Sequence, residues 1–193
     1  MAAIKGGEAV APLSAQQLID CDLANNGWSH AGYAYTSKYG LMSAADYGAY
    51  TGKQAECAYD ETKVVAFKNT DSVQERYLSN EKMKEIVAKQ PVASSFVLTP
   101  KFQLYHGGIL SDNILQCSGE GKQVNHAVTV VGYGKTERKT IASSWCDEYW
   151  IVQQAWGTSW GENGTFKLCM DGAGKSNMPY GPCHINRFPV YPQ

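Results

Sequence analysis

The 193-residue sequence lacks a long hydrophobic run, an excess of charge of either sign and a recognisable leader. Its apolar stretches are interrupted within about ten residues, whereas a membrane-spanning helix needs roughly 18 or more. Lysine and arginine total 17 against 18 aspartates and glutamates, so no basic surface for nucleic acid is expected. The opening residues, MAAIKGGEAVAPL, show neither the hydrophobic centre nor the cleavage pattern of a signal peptide. The length and the 44% of apolar residues predict about one folded domain, with no membrane span and no nucleic-acid partner.

Cysteine pairs of the Cys-X-X-Cys type are also absent, which argues against a zinc knuckle or a thioredoxin-type motif. The six cysteines are widely spaced instead: Cys21, Cys57, Cys117, Cys146, Cys169 and Cys183. An even number at wide spacing predicts three disulfides and an oxidising compartment, whether lysosomal, secreted or other. The alternative is six buried free thiols in a cytosolic protein, because free cysteine is readily buried. Since the opening residues look cytosolic, we expect that a segment upstream is missing.

Helical signals fall mostly in the first half of the sequence. The segment SAQQLID at 14–20 predicts a short helix capped by Ser14, and a second helix over 33–39 should end at Gly40. A third helix begins at Asn80 and ends before Pro91, because proline cannot continue a helix. Its apolar face comprises Met83, Ile86 and Val87.

Strand signals dominate after Pro91. Four segments rich in Val, Tyr, Trp and Phe are punctuated by glycine: VASSFVL, AVTVVGYG, YWIVQQAW and GTFKLCM. Helices followed by antiparallel strands predict an α+β fold rather than a parallel α/β sheet. We place a soft boundary near residue 75, between a helical part over 1–75 and an antiparallel β-rich part over 76–193.

Two segments stand out chemically: VNHAV at 124–128, with His126 at the head of a hydrophobic strand, and YWIVQQAWGTSWG at 149–161. In this order they resemble the papain family of cysteine peptidases. The resemblance extends over roughly residues 10–192 and is specific as a set. It also includes the segments LSAQQLIDCD at 13–22, KQPV at 89–92 and FQLYHGGI at 102–109.

The resemblance implies a papain-like fold, with an incomplete helical subdomain and a barrel-like β subdomain. The family mechanism needs a cysteine thiolate, a histidine and an asparagine that orients the imidazole. The matching histidine is His126, and the asparagine position falls on Gln154, whose amide lies one methylene further out. Trp156 matches the tryptophan that shields the histidine–amide hydrogen bond, and Trp160 matches one on the leaving-group side.

The nucleophile of the family has no counterpart in the sequence. The family cysteine lies in a CG[SA]C[WY] sequence about 130–150 residues before its histidine and asparagine. No such sequence occurs in the 193 residues, and the oxyanion glutamine would lie further upstream still. Trp28 also stands where the family has a cysteine in a Cys-Asn-Gly-Gly-type loop. We therefore expect no catalysis from this chain alone, and a role as a binding or structural subunit.

Two alternatives stay open. The first is an active endopeptidase whose cysteine-bearing N-terminal segment is missing or supplied by another chain. The second is a decoy or inhibitor of active relatives. A peptide ligand is compatible with each of the three hypotheses.

The resemblance also implies disulfides Cys21–Cys57 and Cys117–Cys183. Cys146 and Cys169 are not family positions, but they would lie on neighbouring strands, so a third bridge between them is expected. No cofactor and no metal is expected, because His30, His106 and His184 lack ligand spacing. The triplet Asn163-Gly164-Thr165 is a glycosylation sequon that matters only if the protein is secreted.

A protein partner is expected on residues 1–45. In the family, the segment without a counterpart here forms a central helix of the helical subdomain. Its loss should uncover apolar faces that include Leu18, Ile19, Tyr33 and Tyr35. Four such side chains, at about 1.5–3 kcal/mol each, would rival the net stability of a domain, so we expect another chain to cover them.

Overall fold

The computed structural model describes residues 11–23, 27–68, 70–117, 121–136, 146–170 and 180–193. The chain forms two compact units, Met1–Val73 with Pro192–Gln193, and Gln74–Tyr191. None of the helices in these ranges is long and apolar enough to cross a membrane.

The described residues of the first unit form three helices and a small sheet. Helix α1 spans Ala15–Cys21, α2 Ser29–Tyr39 and α3 Ala44–Tyr47. Strands β1 (Leu41–Met42) and β2 (Val64–Ala66) pair antiparallel, and a 3-10 turn at Glu61–Lys63 leads into β2.

The ends of these helices follow the capping signals. Ser14 is the N-cap of α1, and its hydroxyl accepts a hydrogen bond from the Gln17 N–H. Helix α2 begins four residues before the predicted start, and it ends at Gly40 as predicted. Gly40 has φ 75°, and a Cβ there would collide with the Val64 side chain, so only glycine fits.

Polar side chains on the buried face of α1 organise the loops around that helix. Gln17 is fully buried; its amide donates to the Tyr35 hydroxyl and the Gly40 carbonyl, and its Oε1 accepts from the Met42 N–H at 2.8 Å. Asp20 accepts from the Tyr47 hydroxyl and the Ala55 N–H. These bonds explain why a helix without an apolar stripe is buried: its glutamines and aspartate satisfy the backbone of neighbouring turns.

The second unit is built on a sheet of seven strands, and the boundary between units falls within its strands β3 and β9. The strand order is β3-β9-β4-β6-β7-β8-β5. The strands are β3 (Ser72–Gln74), β4 (Val92–Phe96), β5 (Ile109–Leu110), β6 (His126–Lys135), β7 (Glu148–Gln153), β8 (Thr165–Cys169) and β9 (Val190–Pro192). The short strand β5 runs parallel to β8, so the sheet is mixed rather than wholly antiparallel as expected from the sequence. The α+β class itself is confirmed.

Short helices and a large apolar core accompany this sheet. Helix α4 spans Asn80–Val87, α5 spans Asp112–Leu115, and 3-10 turns lie at Pro100–Leu104 and Pro182–His184. The predicted apolar face of α4 is buried, and the helix packs against β6. The core is made of large side chains that include Phe96, Phe102, Trp150, Phe166 and Leu168, all fully buried.

All six cysteines of the chain are joined in disulfides. The bridges are Cys21–Cys57 in the first unit, and Cys117–Cys183 and Cys146–Cys169 in the second. These are the three pairings expected from the sequence, and each closes a loop whose freedom in the unfolded chain it removes.

Candidate active site

The sheet fixes the position of His126. It is the first residue of β6 and pairs with Phe96 of β4. The preceding residue, Asn125, exchanges two side-chain hydrogen bonds with the backbone of Leu98, 2.7 and 3.1 Å long. Because β4 and β6 are interior strands, the half-buried imidazole has a rigid base, which suits a group that must hold one orientation.

Gln154 meets this histidine from the end of β7. Its backbone N–H donates to the Gly164 carbonyl at 2.9 Å, and its side chain is only 5% exposed. The distance between His126 Nε2 and Gln154 Oε1 is 2.8 Å. The extra methylene of glutamine therefore does not prevent the side chain from reaching the ring.

The hydrogen bonds around Gln154 determine which ring nitrogen carries the proton. Its Oε1 also accepts from the Ala155 N–H at 2.9 Å, so this atom must be the carbonyl oxygen. Since a carbonyl only accepts, His126 Nε2 is the donor, and in the neutral ring Nδ1 carries the lone pair. The arrangement leaves one ring nitrogen able to accept a proton.

The amide nitrogen of Gln154, unlike its oxygen, does not take part in a hydrogen bond with the described residues. This atom, Nε2, is buried. A buried unpaired donor costs about 1–3 kcal/mol. Glutamine thus preserves the acceptor at the histidine while leaving its donor unused.

An aromatic cluster borders the His126–Gln154 pair. The ring centroids of Trp156 and His126 are 5.7 Å apart, and Trp156 is 36% exposed. Trp160 stands edge-on to Trp156 at 5.0 Å and donates its indole N–H to the Gln103 carbonyl. Buried Phe102 contacts both indoles and thereby ties them to the core.

Glu162 lies in the same loop as Trp156 and Trp160 and ties that loop to neighbouring elements, although the sequence does not single it out. It accepts from the Gly108 N–H at 3.0 Å and the Tyr105 hydroxyl at 3.1 Å, and it pairs with Lys167 at 2.8 Å. Desolvation raises the pKa of Glu162, but the lysine and these donors outweigh it and hold the pKa below its usual value. Burial raises the pKa of Tyr105. No spacing pattern reveals Glu162, because two of its three partners, Gly108 and Tyr105, lie more than fifty residues away in the sequence.

A metal has no suitable ligand set among the described residues. One cluster, Asp112, Cys117 and Cys183, has ligand atoms within 4.8 Å of one another. Its two sulfurs are joined to each other in a disulfide, so neither is a thiolate that a metal would bind.

Comparison with known families decides the assignment. The family model described as papain family cysteine protease matches residues 1–193. The chain belongs to the papain family. It is 35% identical over 176 residues to a cathepsin L-like proteinase of Phaedon cochleariae, covering 88% of this chain and 49% of the relative. It is 32% identical over 188 residues to zingipain-2 of Zingiber officinale, covering 93% and 75%.

Solved structures of papain-family proteins share the fold. Bromelain from Ananas comosus, solved in complex with the E64 inhibitor, gives a TM-score of 0.77 at 28% identity, over 98% of this chain and 80% of bromelain. A digestive procathepsin L2 of Tenebrio molitor gives 0.78 at 27% identity, over 95% and 54%. The chain spans about half the length of several curated relatives, including the cathepsin L-like proteinase.

The first unit of the chain has an apolar pocket of about 340 Å³. Trp28 lines it and is 41% exposed; Leu18 and Tyr33 also line it and are half-buried. The expectation that Tyr35 is uncovered is wrong. Its hydroxyl accepts from Gln17 and its ring packs on Tyr39 at 4.9 Å, so the side chain is buried.

Proposed function

We propose that this chain is a papain-family domain without peptidase activity of its own, which serves as a binding or structural subunit. The observation that carries the proposal is the state of the cysteines. A cysteine peptidase attacks its substrate with a thiolate, and every cysteine of this chain is consumed in a disulfide. His126 has a free lone pair but no thiol in this chain to deprotonate.

The proposed partner is a helical segment of another polypeptide that covers residues 1–45. The apolar pocket between residues of α1 and α2 supports this proposal, because such grooves accept the apolar face of a helix. The exposed Trp28, which lines this pocket, also supports it, since exposed apolar surface at a groove marks interaction sites. We further propose that the domain works in an oxidising or secreted compartment, with which its three disulfides are compatible.

The alternative is an active endopeptidase completed by a cysteine-bearing segment from elsewhere. The 2.8 Å contact between His126 and Gln154 favours it, because the base is still held as a peptidase would need. The two functions differ in whether a suitable peptide restores turnover.

Activity assays distinguish these functions. The chain alone should not hydrolyse dipeptidyl or tripeptidyl fluorogenic substrates, and an epoxide probe for active-site thiols should not label it, with bromelain as the positive control. Removing a nucleophile leaves only residual catalysis from binding groups. Turnover that the probe blocks would contradict the proposal. Turnover that appears only with an added CG[SA]C[WY] peptide, and disappears in His126→Ala, would establish the alternative.

The partner is tested by size-exclusion chromatography with light scattering and by hydrogen exchange. We expect self-association or weak amide protection in α1 and α2 of the isolated chain. A cooperative monomer of 21.1 kDa with protected amides across residues 14–40 would refute the need for a partner.

A further inference from the structure

The sequence contains one Asn-X-Ser/Thr triplet, Asn163-Gly164-Thr165, in the loop that also carries Trp156 and Trp160. A triplet of this kind, with a middle residue other than proline, is an acceptor for an N-linked oligosaccharide in secreted proteins. Such triplets also arise by chance, so the local structure must decide whether this one can be used. The role proposed above for the chain does not involve it.

The fold presents the Asn163 side chain to solvent. Asn163 is exposed and has φ 54°, a left-handed conformation that asparagine tolerates. The next residue, Gly164, is buried; its N–H donates to the Trp160 carbonyl at 2.8 Å, and its own carbonyl accepts from Gln154. Because the Asn163 side chain is exposed, a large group attached to it displaces no packed residue. The fixed backbone on either side keeps the side chain in this position.

The third residue of the triplet is engaged in the sheet. Thr165 begins β8, pairs with Gln153 of β7, and donates its hydroxyl to the Glu162 carbonyl at 2.8 Å. Strand β8 lies between β7 and β5, and the Cys146–Cys169 bridge joins the far end of the β7–β8 pair. A transferase that must take the triplet as an extended segment therefore cannot do so without opening the sheet.

We propose that Asn163 carries an N-linked oligosaccharide, added before β8 pairs with β7. The donor is a polyprenyl-diphosphate-linked oligosaccharide. The amide Nδ2 forms a bond to the anomeric carbon of the first sugar, the bond from that carbon to the diphosphate oxygen breaks, and the diphosphate leaves with the electron pair. The amide loses one proton to a base of the transferase, and nothing is oxidised or reduced. The modification requires delivery to the lumen in which the three disulfides form, and it does not depend on whether the chain is catalytic.

The first experiment is expression of the full chain behind a cleavable secretory leader in a eukaryotic host, followed by digestion with peptide N-glycosidase. We expect one downward step in gel mobility and conversion of Asn163 to aspartate at the released site. Asn163→Asp and Thr165→Val should abolish the step, whereas Thr165→Ser, which retains the hydroxyl, should keep it. Valine preserves the β-branched shape of threonine. Thr165→Val therefore removes the hydroxyl that the acceptor triplet requires, with little change in strand propensity.

A positive control reports delivery to the lumen. Ala49→Asn places a second acceptor triplet in the exposed loop that contains Tyr50 and Thr51, and it should add one further mobility step. The proposal is overturned if Ala49→Asn is modified at its new triplet while the leader-bearing wild-type chain shows no step. A step that persists in Asn163→Asp overturns it as well.

The second experiment tests the timing. Unmodified chain is purified, and its folded and its reduced, unfolded forms are incubated with oligosaccharyltransferase and the lipid-linked donor. We expect modification of the unfolded form and none of the folded form. In cells, the double variant Cys146→Ser with Cys169→Ser should be modified at least as fully as wild type, because β7 and β8 are then not locked together. Equal modification of the folded and unfolded chains would contradict the assigned order of events.

Discussion

The pH dependence of folding tests the environment of His184. This residue is 1% exposed, and its Nε2 has no hydrogen-bond partner among the described residues. Its Nδ1 lies 3.4 Å from the Arg187 guanidinium, and its ring packs on Tyr180 at 5.1 Å. Desolvation, and secondarily the charge of Arg187, lower the pKa of His184, while the Asp112 carboxylate opposes them to a smaller extent.

The sign of the effect follows from this lowered pKa. The unfolded chain takes up a proton at His184 near the ordinary value of 6.5, whereas the folded chain resists protonation. Between the two pKa values the unfolded state binds more protons, so the free energy of unfolding falls as the pH falls. The contribution is complete above pH 6.5 and is lost below it. The slope is at most about 1.4 kcal/mol per pH unit, which gives a loss of no more than about 2 kcal/mol by pH 5.

The measurement is urea unfolding followed by tryptophan fluorescence at half-unit steps between pH 5 and 7.5. His184→Asn removes the titrating ring, and asparagine tolerates the φ of 63° at this position. The variant should be less stable at pH 7.5, and it should lose less unfolding free energy than wild type on acidification to pH 5. His106→Asn, which removes an exposed histidine, is the matched control. Identical acid losses in wild type and His184→Asn would refute the reasoning.

Three further substitutions probe the core, the polar network and the loop. Gln17→Met keeps the side-chain volume but leaves the buried Met42 N–H without its hydrogen-bond acceptor, so the free energy of unfolding should fall by about 2–4 kcal/mol. Urea unfolding measures this loss, and the Met42 amide should exchange faster with solvent. Phe102→Ala should cost about 3–5 kcal/mol and weaken the near-ultraviolet circular dichroism of the packed indoles, whereas Phe102→Leu should cost less. Glu162→Gln loses the ion pair with half-exposed Lys167, at about 0.2–1 kcal/mol. Because the pKa of Glu162 is lowered, its contribution is present above pH 4.5 and disappears as the pH falls, so the variant should show a smaller acid loss.

Elements with strong local signals could be predicted from the sequence. The N-cap Ser14, the terminating Gly40 and the apolar face of α4 each leave a signal within a few residues of chain, so they can be recognised before the tertiary packing is known. The longer strands of the central sheet also have local signals, since β-branched and aromatic runs between glycines favour extended structure.

The parallel pairing of β5 and the burial of Tyr35 could not be predicted in this way. Strand β5 has only two residues, and its partner β8 lies more than fifty residues further along the chain. Tyr35 is buried because Gln17 and Tyr39 happen to converge on it. Long-range polar contacts of this kind leave no periodic pattern, and the same holds for the contacts of Glu162 with Tyr105 and Gly108.

The two hydrogen bonds at Gln154 Oε1 bear on how the retained histidine should be interpreted. The same oxygen accepts from His126 and from the Ala155 N–H, and the latter bond holds the start of the 154–164 loop. Removing the histidine would leave that second bond intact, so the loop supplies a structural reason for an amide acceptor at this position. An amide acceptor at residue 154 is therefore expected in a catalytic and in a non-catalytic domain alike. We therefore rest the proposal that this chain has no peptidase activity of its own on its cysteines, because all six are joined in disulfides and none is a thiol that could pair with that base.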